Sequence, residues 1–202
     1  MNLAIIPARG GSKRIKHKNI KKFNGQPIIY WTIKAAIKSK LFDRIVVSTD
    51  SKVIKKISKK FGAEVPFLRP KKLSGDNVGT VKVVKHAIQW FKEKNILFKN
   101  VCCVYPTAPF ISGRILTKGL KLLNKKKPSY VFTITSFPYS IEKALKIKRN
   151  GRIAPIWKKN IFKRSQDFEA RYHDAGQMYW GKSDSFLKEK IIFSQNSVSL
   201  YL

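Results

Sequence analysis

An α/β fold with a doubly wound, mostly parallel sheet is the class this 202-residue chain predicts, and three observations carry the expectation. Short runs that are apolar at every position alternate with longer stretches of helical period. Continuous apolar runs are what strands show when helices cover both of their faces. Turn and cap residues separate the two kinds of segment, giving the order β-α-β-α-β-α-β through the first two thirds of the chain.

The strands are "LAII" (3–6), "RIVVST" (44–49), "VCCVY" (101–105) and "YVFTIT" (130–135). Between the first two, Ile29, Ile33 and Ile37 repeat at helical spacing behind Pro27, a good first-turn residue. Val53, Ile57 and Phe61 repeat likewise, with Asp50 or Ser51 as the cap. Val81, Val84, Ile88 and Phe91 form a third helical face, and Ile115, Gly119 and Leu123 a weaker fourth. Beyond residue 136 the period changes. "ALKIK" and "RIAPI" read as a β-hairpin turning at Asn150-Gly151. "QMYWG" (177–181) is apolar again and is expected to rejoin the sheet. Residues 137–173 are therefore read as an excursion from a single domain spanning 1–202.

The net charge of +32, from 43 Lys and Arg against 11 Asp and Glu, raises the question of a nucleic-acid partner. The lysines fall on the polar faces of the expected helices, as in "SKVIKKISKKF", rather than along one stripe. No helix-turn-helix, zinc-finger or RRM pattern accompanies them. A lysine-biased composition over solvated faces is the favoured reading. No window of 18 apolar residues is present, so no membrane span is expected. The two cysteines, Cys102 and Cys103, are neighbours in a strand and point to opposite faces, which suits two core thiols in a reducing cytoplasm.

The chemistry starts where the first strand ends. "IIPARGGSKRIKHKNI" runs from a buried strand into a glycine pair and a cluster of cations. In an open parallel sheet, ligands sit beyond the carboxyl ends of the strands. Gly10 and Gly11 let backbone amides approach a phosphate, Arg9 can fork two of its oxygens, and Lys13 or Lys18 adds point charge. The string is neither a Walker A loop nor a G-x-G-x-x-G fingerprint, and on physics alone a basic loop capping a strand explains it equally well.

The same string resembles the start of the CMP-N-acylneuraminate synthetase family of cytidylyltransferases. "GQPIIYWTIKAA", "VVSTDS", "AEVPFLRPKKLSGD", "YPTAPF" and "HDAGQMYWG" extend that resemblance through most of the chain. It implies a Rossmann-like nucleotidyltransferase domain whose first loop wraps the triphosphate of CTP. By position, Ala8, Arg9, Gly10, Gly11, Ser12, Lys18 and Asn19 correspond to that loop, with Arg69 and Ser74 near the base. Arg9 and Lys18 would stabilise the leaving pyrophosphate. "YPTAP" and "HDAGQ" replace the Gln-Pro-Thr-Ser-Pro and Asn-Gly of sialic acid enzymes and are similar to the pseudaminic acid branch. Tyr105, Thr107, Arg164, Gln166, His173, Asp174 and Gln177 are the corresponding sugar-acid residues. The implied reaction joins CMP to the anomeric hydroxyl of a nonulosonic acid. Sialic and legionaminic acids are the alternative sugars, and a polyanion-binding protein on the same fold is the alternative class. Homodimers are usual in the family, and 137–173 is where the contact is expected.

The resemblance also implies Mg²⁺, held by an Asp-x-Asp near the C-terminus. None occurs among the 11 acidic residues, so the metal's ligands are left unassigned. Either the chain ends before the metal-binding segment or its metal is held another way, so activity is a weaker expectation than family membership. Asp167 and Glu169 have the spacing without the context and read as surface residues. Asp76 reads as a helix cap, His86 as a packed or surface residue, and Trp31, Trp90 and Phe91 as core aromatics.

Overall fold

The computed structural model describes all 202 residues. In chain order the strands and helices are β1 (Asn2–Pro7), β2 (Lys22–Phe23), β3 (Gln26–Pro27), α1 (Ile28–Ser39), β4 (Arg44–Ser48) and α2 (Lys52–Lys60), followed by α3 (Thr80–Lys92), β5 (Asn100–Val104), α4 (Gly113–Lys126) and β6 (Tyr130–Ser136). Then come β7 (Leu145–Ile147), β8 (Ile153–Pro155), β9 (Tyr172–Lys182), α5 (Ser183–Leu187) and β10 (Ser197–Tyr201). The four strands and four helices expected through residue 136 are all present.

The main sheet has the order β10-β6-β9-β5-β1-β4. β1 lies parallel to β4 on one side, with Leu3 opposite Arg44, and parallel to β5 on the other, with Leu3 opposite Val101. β9 runs antiparallel to β5, Cys103 facing Tyr179, so "QMYWG" does rejoin the sheet. Because the chain winds from β1 first toward β4 and later toward β5, the strand order reverses between β1 and β5. A crevice opens there, beyond the carboxyl ends of both strands.

Alternation along the strands divides the core between the two faces of the sheet. Leu3 and Ile5 pack with Val84, Ile88 and Phe91 of α3 and Phe186 of α5. Ile6 and Ala8 pack with Ile29 and Ile33 of α1 and Ile54 of α2. Cys103 belongs with the α3 side, whereas Cys102 meets Leu116 and Leu123 of α4. Both thiols are free and fully buried, and burial pushes both well above the ordinary thiol range.

Two helices present faces slightly rotated from the expected ones. Ser51, not Asp50, caps α2, its hydroxyl accepting from the Ile54 amide at 3.3 Å. The inward stripe is then Ile54, Ile57, Ser58 and Phe61, and Val53 is 58% exposed. In α4 the inward residues are Leu116, Gly119 and Leu123. At Gly119 a Cβ would stand 2.6 Å from both Met178 Cε and Trp180 Cδ1. Trp180 is tethered there, its indole donating to the Leu116 carbonyl at 3.1 Å. Gly119→Ala is therefore expected to lower stability by about 1–3 kcal/mol, as overpacking does, despite alanine's helix advantage of about 0.5–1 kcal/mol. Urea unfolding with no loss of stability would show that α4 can move off the sheet.

By contact density the chain divides into two compact units, residues 1–133 with 176–200 and residues 134–175 with 201–202. The second contains the hairpin of β7 and β8, paired Leu145 to Pro155 and Ile147 to Ile153, with Gly151 at φ +76° in its turn. The strands are shorter than "ALKIK" and "RIAPI", because the turn takes Lys148 and Arg152, whose backbones bond at 2.7 Å. The sequence reading passed over β10 and the two-residue ribbon β2–β3. That ribbon also turns on an Asn-Gly pair, Asn24 and Gly25, both at positive φ. No helix is long and apolar enough to cross a membrane.

Candidate nucleotide site

The crevice between the ends of β1 and β5 is a cleft of about 230 Å³. Of the nucleotide residues named from sequence, Arg9, Ser12, Lys18, Asn19 and Arg69 line it, and of the sugar-acid residues Tyr105 and Thr107. Ala8, Gly10, Gly11 and Ser74 are its neighbours in sequence, not its walls. Ala8 is a core residue whose amide donates to the Ser48 carbonyl at 2.9 Å. The Ser74 hydroxyl donates to the Pro70 carbonyl at 3.1 Å.

Three contacts fasten the first loop. Besides the Ala8 bond, the Gly10 amide donates to Asp50 Oδ1 at 2.8 Å and the Asn19 side-chain amide donates to the Arg9 carbonyl at 2.9 Å. A Cβ at Gly10 would meet Ser51 Cβ at 3.0 Å, so this glycine lets the loop lie against the start of α2. Gly11 has open space around it. Asn19 is buried and its Oδ1 lacks a partner, leaving one acceptor on the cleft wall.

The cations have specific counter-charges. Arg9 Nη2 stands 2.6 Å from Asp76 Oδ1 and Lys13 Nζ 2.8 Å from Asp76 Oδ2. Hydrogen bonds from Lys13 and then Arg9 hold the Asp76 carboxyl below the usual carboxylate range. Asp76 is thus no helix cap. The residue before α3 is Gly79, and no side chain caps that helix. Arg69 is 6% exposed and makes no ion pair within 4 Å. Its Nη2 donates to the Ser48 carbonyl at 2.9 Å and its Nη1 reaches the Leu73 carbonyl at 3.4 Å, while Nε has no partner. Burial lowers its affinity for the proton, against the pull of the Asp50 charge.

On the opposite wall, Tyr105 is held from several sides. Its hydroxyl and Thr80 Oγ1 are 2.8 Å apart, its ring tilts on Tyr179 at 5.3 Å, and its amide donates to the Gln177 carbonyl at 2.9 Å. Gln177 Oε1 is buried without a partner. The remaining sugar-acid residues belong to the second unit. Arg164 forks the Asp167 carboxylate with two bonds of 3.2 Å, Gln166 lies exposed in the same short turn, and His173 Nδ1 is 2.9 Å from the Asp174 carbonyl. Glu169 pairs with Arg171 at 3.3 Å.

A family model described as cytidylyltransferase matches residues 3–199. The chain belongs to the cytidylyltransferase family. It is 40% identical over 196 residues to a pseudaminic acid cytidylyltransferase of Campylobacter jejuni, a match covering 97% of this chain and 84% of that one. An N-acylneuraminate cytidylyltransferase of Escherichia coli is 26% identical over 200 residues, covering 98% of this chain and 46% of the other. Among solved structures, a CMP:2-keto-3-deoxy-manno-octonic acid synthetase complexed with CTP superposes with a TM-score of 0.72 over 100% of this chain and 89% of that one. At 14% identity it speaks for the fold alone.

Within this cytidylyltransferase, the polar cleft side chains that sequence reading passed over are Asp76 in its pairing and Thr80. The only local signal was the polar string "SGDNVGT" ahead of α3. His86 packs edge-on against Phe67, and burial followed by the Arg69 charge lowers its proton affinity. The side chains near the cleft offer few ligands for the Mg²⁺ that the resemblance implies. No three His, Cys, Asp or Glu converge anywhere. Of the two carboxylates beside the loop, Asp76 is engaged by two cations and Asp50 by the Gly10 amide. Mg²⁺ is usually held by one or two carboxylates together with waters and substrate phosphates, and beside the loop only Asp50 Oδ2 is left without a hydrogen bond or ion pair.

Proposed function

We propose that this cytidylyltransferase transfers CMP from CTP to pseudaminic acid. The observation that carries the reading is the 40% identity to a pseudaminic acid cytidylyltransferase across 97% of the chain, against 26% to an N-acylneuraminate enzyme. The cleft supports it with a cationic wall (Arg9, Lys18 and Arg69) opposite an aromatic one bearing Tyr105.

In this reaction the anomeric oxygen of the sugar acid bonds to the α-phosphorus while the bond to pyrophosphate breaks. The hydroxyl proton passes to solvent water in the open cleft. No protein nucleophile is required. Arg9 and Lys18 supply fixed positive charge where the leaving group gains negative charge, and the walls hold the reactants in line. Arg69 is placed toward the base, and Asn19 holds the loop by its bond to the Arg9 carbonyl. Tyr105, locked by Thr80, offers the sugar a flat face with a fixed hydroxyl, which suits a deoxygenated, doubly N-acylated acid better than an amide would.

The test is a CTP assay with purified pseudaminic and N-acetylneuraminic acids, following CMP-sugar formation with and without Mg²⁺. We expect kcat/KM to favour pseudaminic acid by about tenfold or more, the lower end of discrimination by pocket shape. Comparable turnover of both acids overturns the sugar assignment.

We also propose that the active protein is a homodimer joined through the second unit. There Leu145, Ile147 and Ile153 of the hairpin, with Phe162 at 95% exposure, present apolar surface that a two-stranded ribbon does not cover by itself. Ile147→Glu is expected to shift the protein from dimer to monomer in sedimentation. An unchanged dimer places the contact elsewhere. The free, buried thiols suit a cytoplasmic protein.

A further inference from the structure

We infer that Asp76 is an exchangeable counter-ion of the triphosphate subsite, holding Arg9 and Lys13 until a polyphosphate displaces it and so weakening polyphosphate ligands relative to those that leave the two cations untouched. The inference rests on the nucleotide reading above and goes beyond it, since it assigns a role to a carboxylate lying where an anion is to bind. The two oxygens of Asp76 are divided between the two cations, Oδ1 to Arg9 at 2.6 Å and Oδ2 to Lys13 at 2.8 Å. That is how two oxygens of a phosphate would meet the same pair.

Asp76 lines the cleft with Arg9, so carboxylate and incoming phosphate compete for the guanidinium. Arg9, Lys13 and Asp76 are all at least 30% exposed at the side chain, which makes the pairing solvent-accessible and weak enough to exchange. Asp76 lies in the segment between the short turn at Lys71–Leu73 and α3, on neither a strand nor a helix, so it can swing aside without breaking a regular element.

The consequence is discrimination by charge. CTP and pyrophosphate carry enough negative charge to replace a carboxylate on two cations. A CMP-sugar, with one phosphodiester charge, replaces it poorly, so the carboxylate returns once pyrophosphate leaves. Asp76 therefore weakens every ligand that reaches Arg9 and Lys13 by a common factor and leaves the cytidine subsite untouched.

Calorimetric titration of CTP, pyrophosphate and cytidine, without divalent metal, into the native chain, Asp76→Asn and Asp76→Ser tests this. Both variants should tighten CTP and pyrophosphate by about three- to tenfold, the span for a surface carboxylate released from two cations, with cytidine unchanged. Rising salt should shrink the difference. Glu93→Gln removes a charge at an exposed position and should change none of the three affinities. Unchanged or weaker CTP and pyrophosphate binding overturns the inference, as does a parallel shift for cytidine, which would make Asp76 a builder of the cleft. An equal gain in Glu93→Gln would reduce the effect to bulk charge and overturn it too. A native chain that binds neither CTP nor cytidine, while Asp76→Asn tightens pyrophosphate, would sink the nucleotide reading and leave the counter-ion role standing.

Discussion

Arg9→Ala should weaken CTP binding by about 1.5–3 kcal/mol, or about 10- to 150-fold, the range for hydrogen bonds to a charged group. Arg9 is the one guanidinium in the first loop that both lines the cleft and already grips an anion. Its backbone is pinned, with the carbonyl accepting from Asn19, so the side chain loses little freedom on engaging phosphate. The release of Asp76 partly offsets the loss and should bring the effect toward the lower half of that range. Lys13→Gln is the contrast. Its side chain is 83% exposed and reaches the same carboxylate, so one phosphate contact is lost as one competing pair is removed. A change of no more than about twofold is expected there, as for exposed ion pairs generally. Titration of CTP into the folded variants decides the matter. An Arg9→Ala protein with native affinity would take the loop out of the site.

That loop was legible because its signal is local. An apolar run ending in Pro-Ala-Arg-Gly-Gly announces the carboxyl end of a buried strand, and "LAII" and "VCCVY" fixed the two strands that flank the crevice. Alternation alone put Cys102 and Cys103 on opposite faces, where they lie. Contacts decided by long-range placement were not legible. Asp76 pairs with a residue 67 positions earlier, and its setting, Ser-Gly-Asp-Asn, is as good for a turn or a cap as for an ion pair. Thr80 meets Tyr105 only because α3 begins opposite the end of β5. Strand β10, "SVSLY", follows the polar "SQN" and pairs at the sheet edge, where half-exposed residues leave no continuous apolar run. The glycines were assigned by string, yet they serve differently. Gly10 gives its amide to Asp50 and its missing Cβ to Ser51, which makes it a fastening of the loop onto β4 and α2.

Arg69→Met should separate function from stability. Arg69 is a cation at 6% exposure with its Nε unpaired and no carboxylate within ion-pair reach. Burying a charge without a paired carboxylate is costly, and replacing it by a flexible apolar side chain of similar length is often close to neutral. Little structure depends on the two bonds it makes. The Ser48 carbonyl keeps the Ala8 amide as a donor, and only the Leu73 carbonyl, reached at 3.4 Å, loses a partner. The unfolding free energy is therefore expected to stay within about 1 kcal/mol of native, in the range of a lost neutral hydrogen bond. If Arg69 meets the nucleotide, CTP affinity should fall by about tenfold or more, the weight of a hydrogen bond from a charged group on the cleft lining. Arg69→Lys keeps the charge but not the planar fork, so it should not recover the native affinity, and its buried ammonium should leave it less stable than Arg69→Met. Urea unfolding and CTP titration on the same preparations give both numbers. A loss above about 3 kcal/mol in Arg69→Met, on the scale of a broken buried pair, would make the guanidinium a structural strut coupled to Asp50. Native CTP affinity in a stable variant would mean that the buried cation does not face the nucleotide.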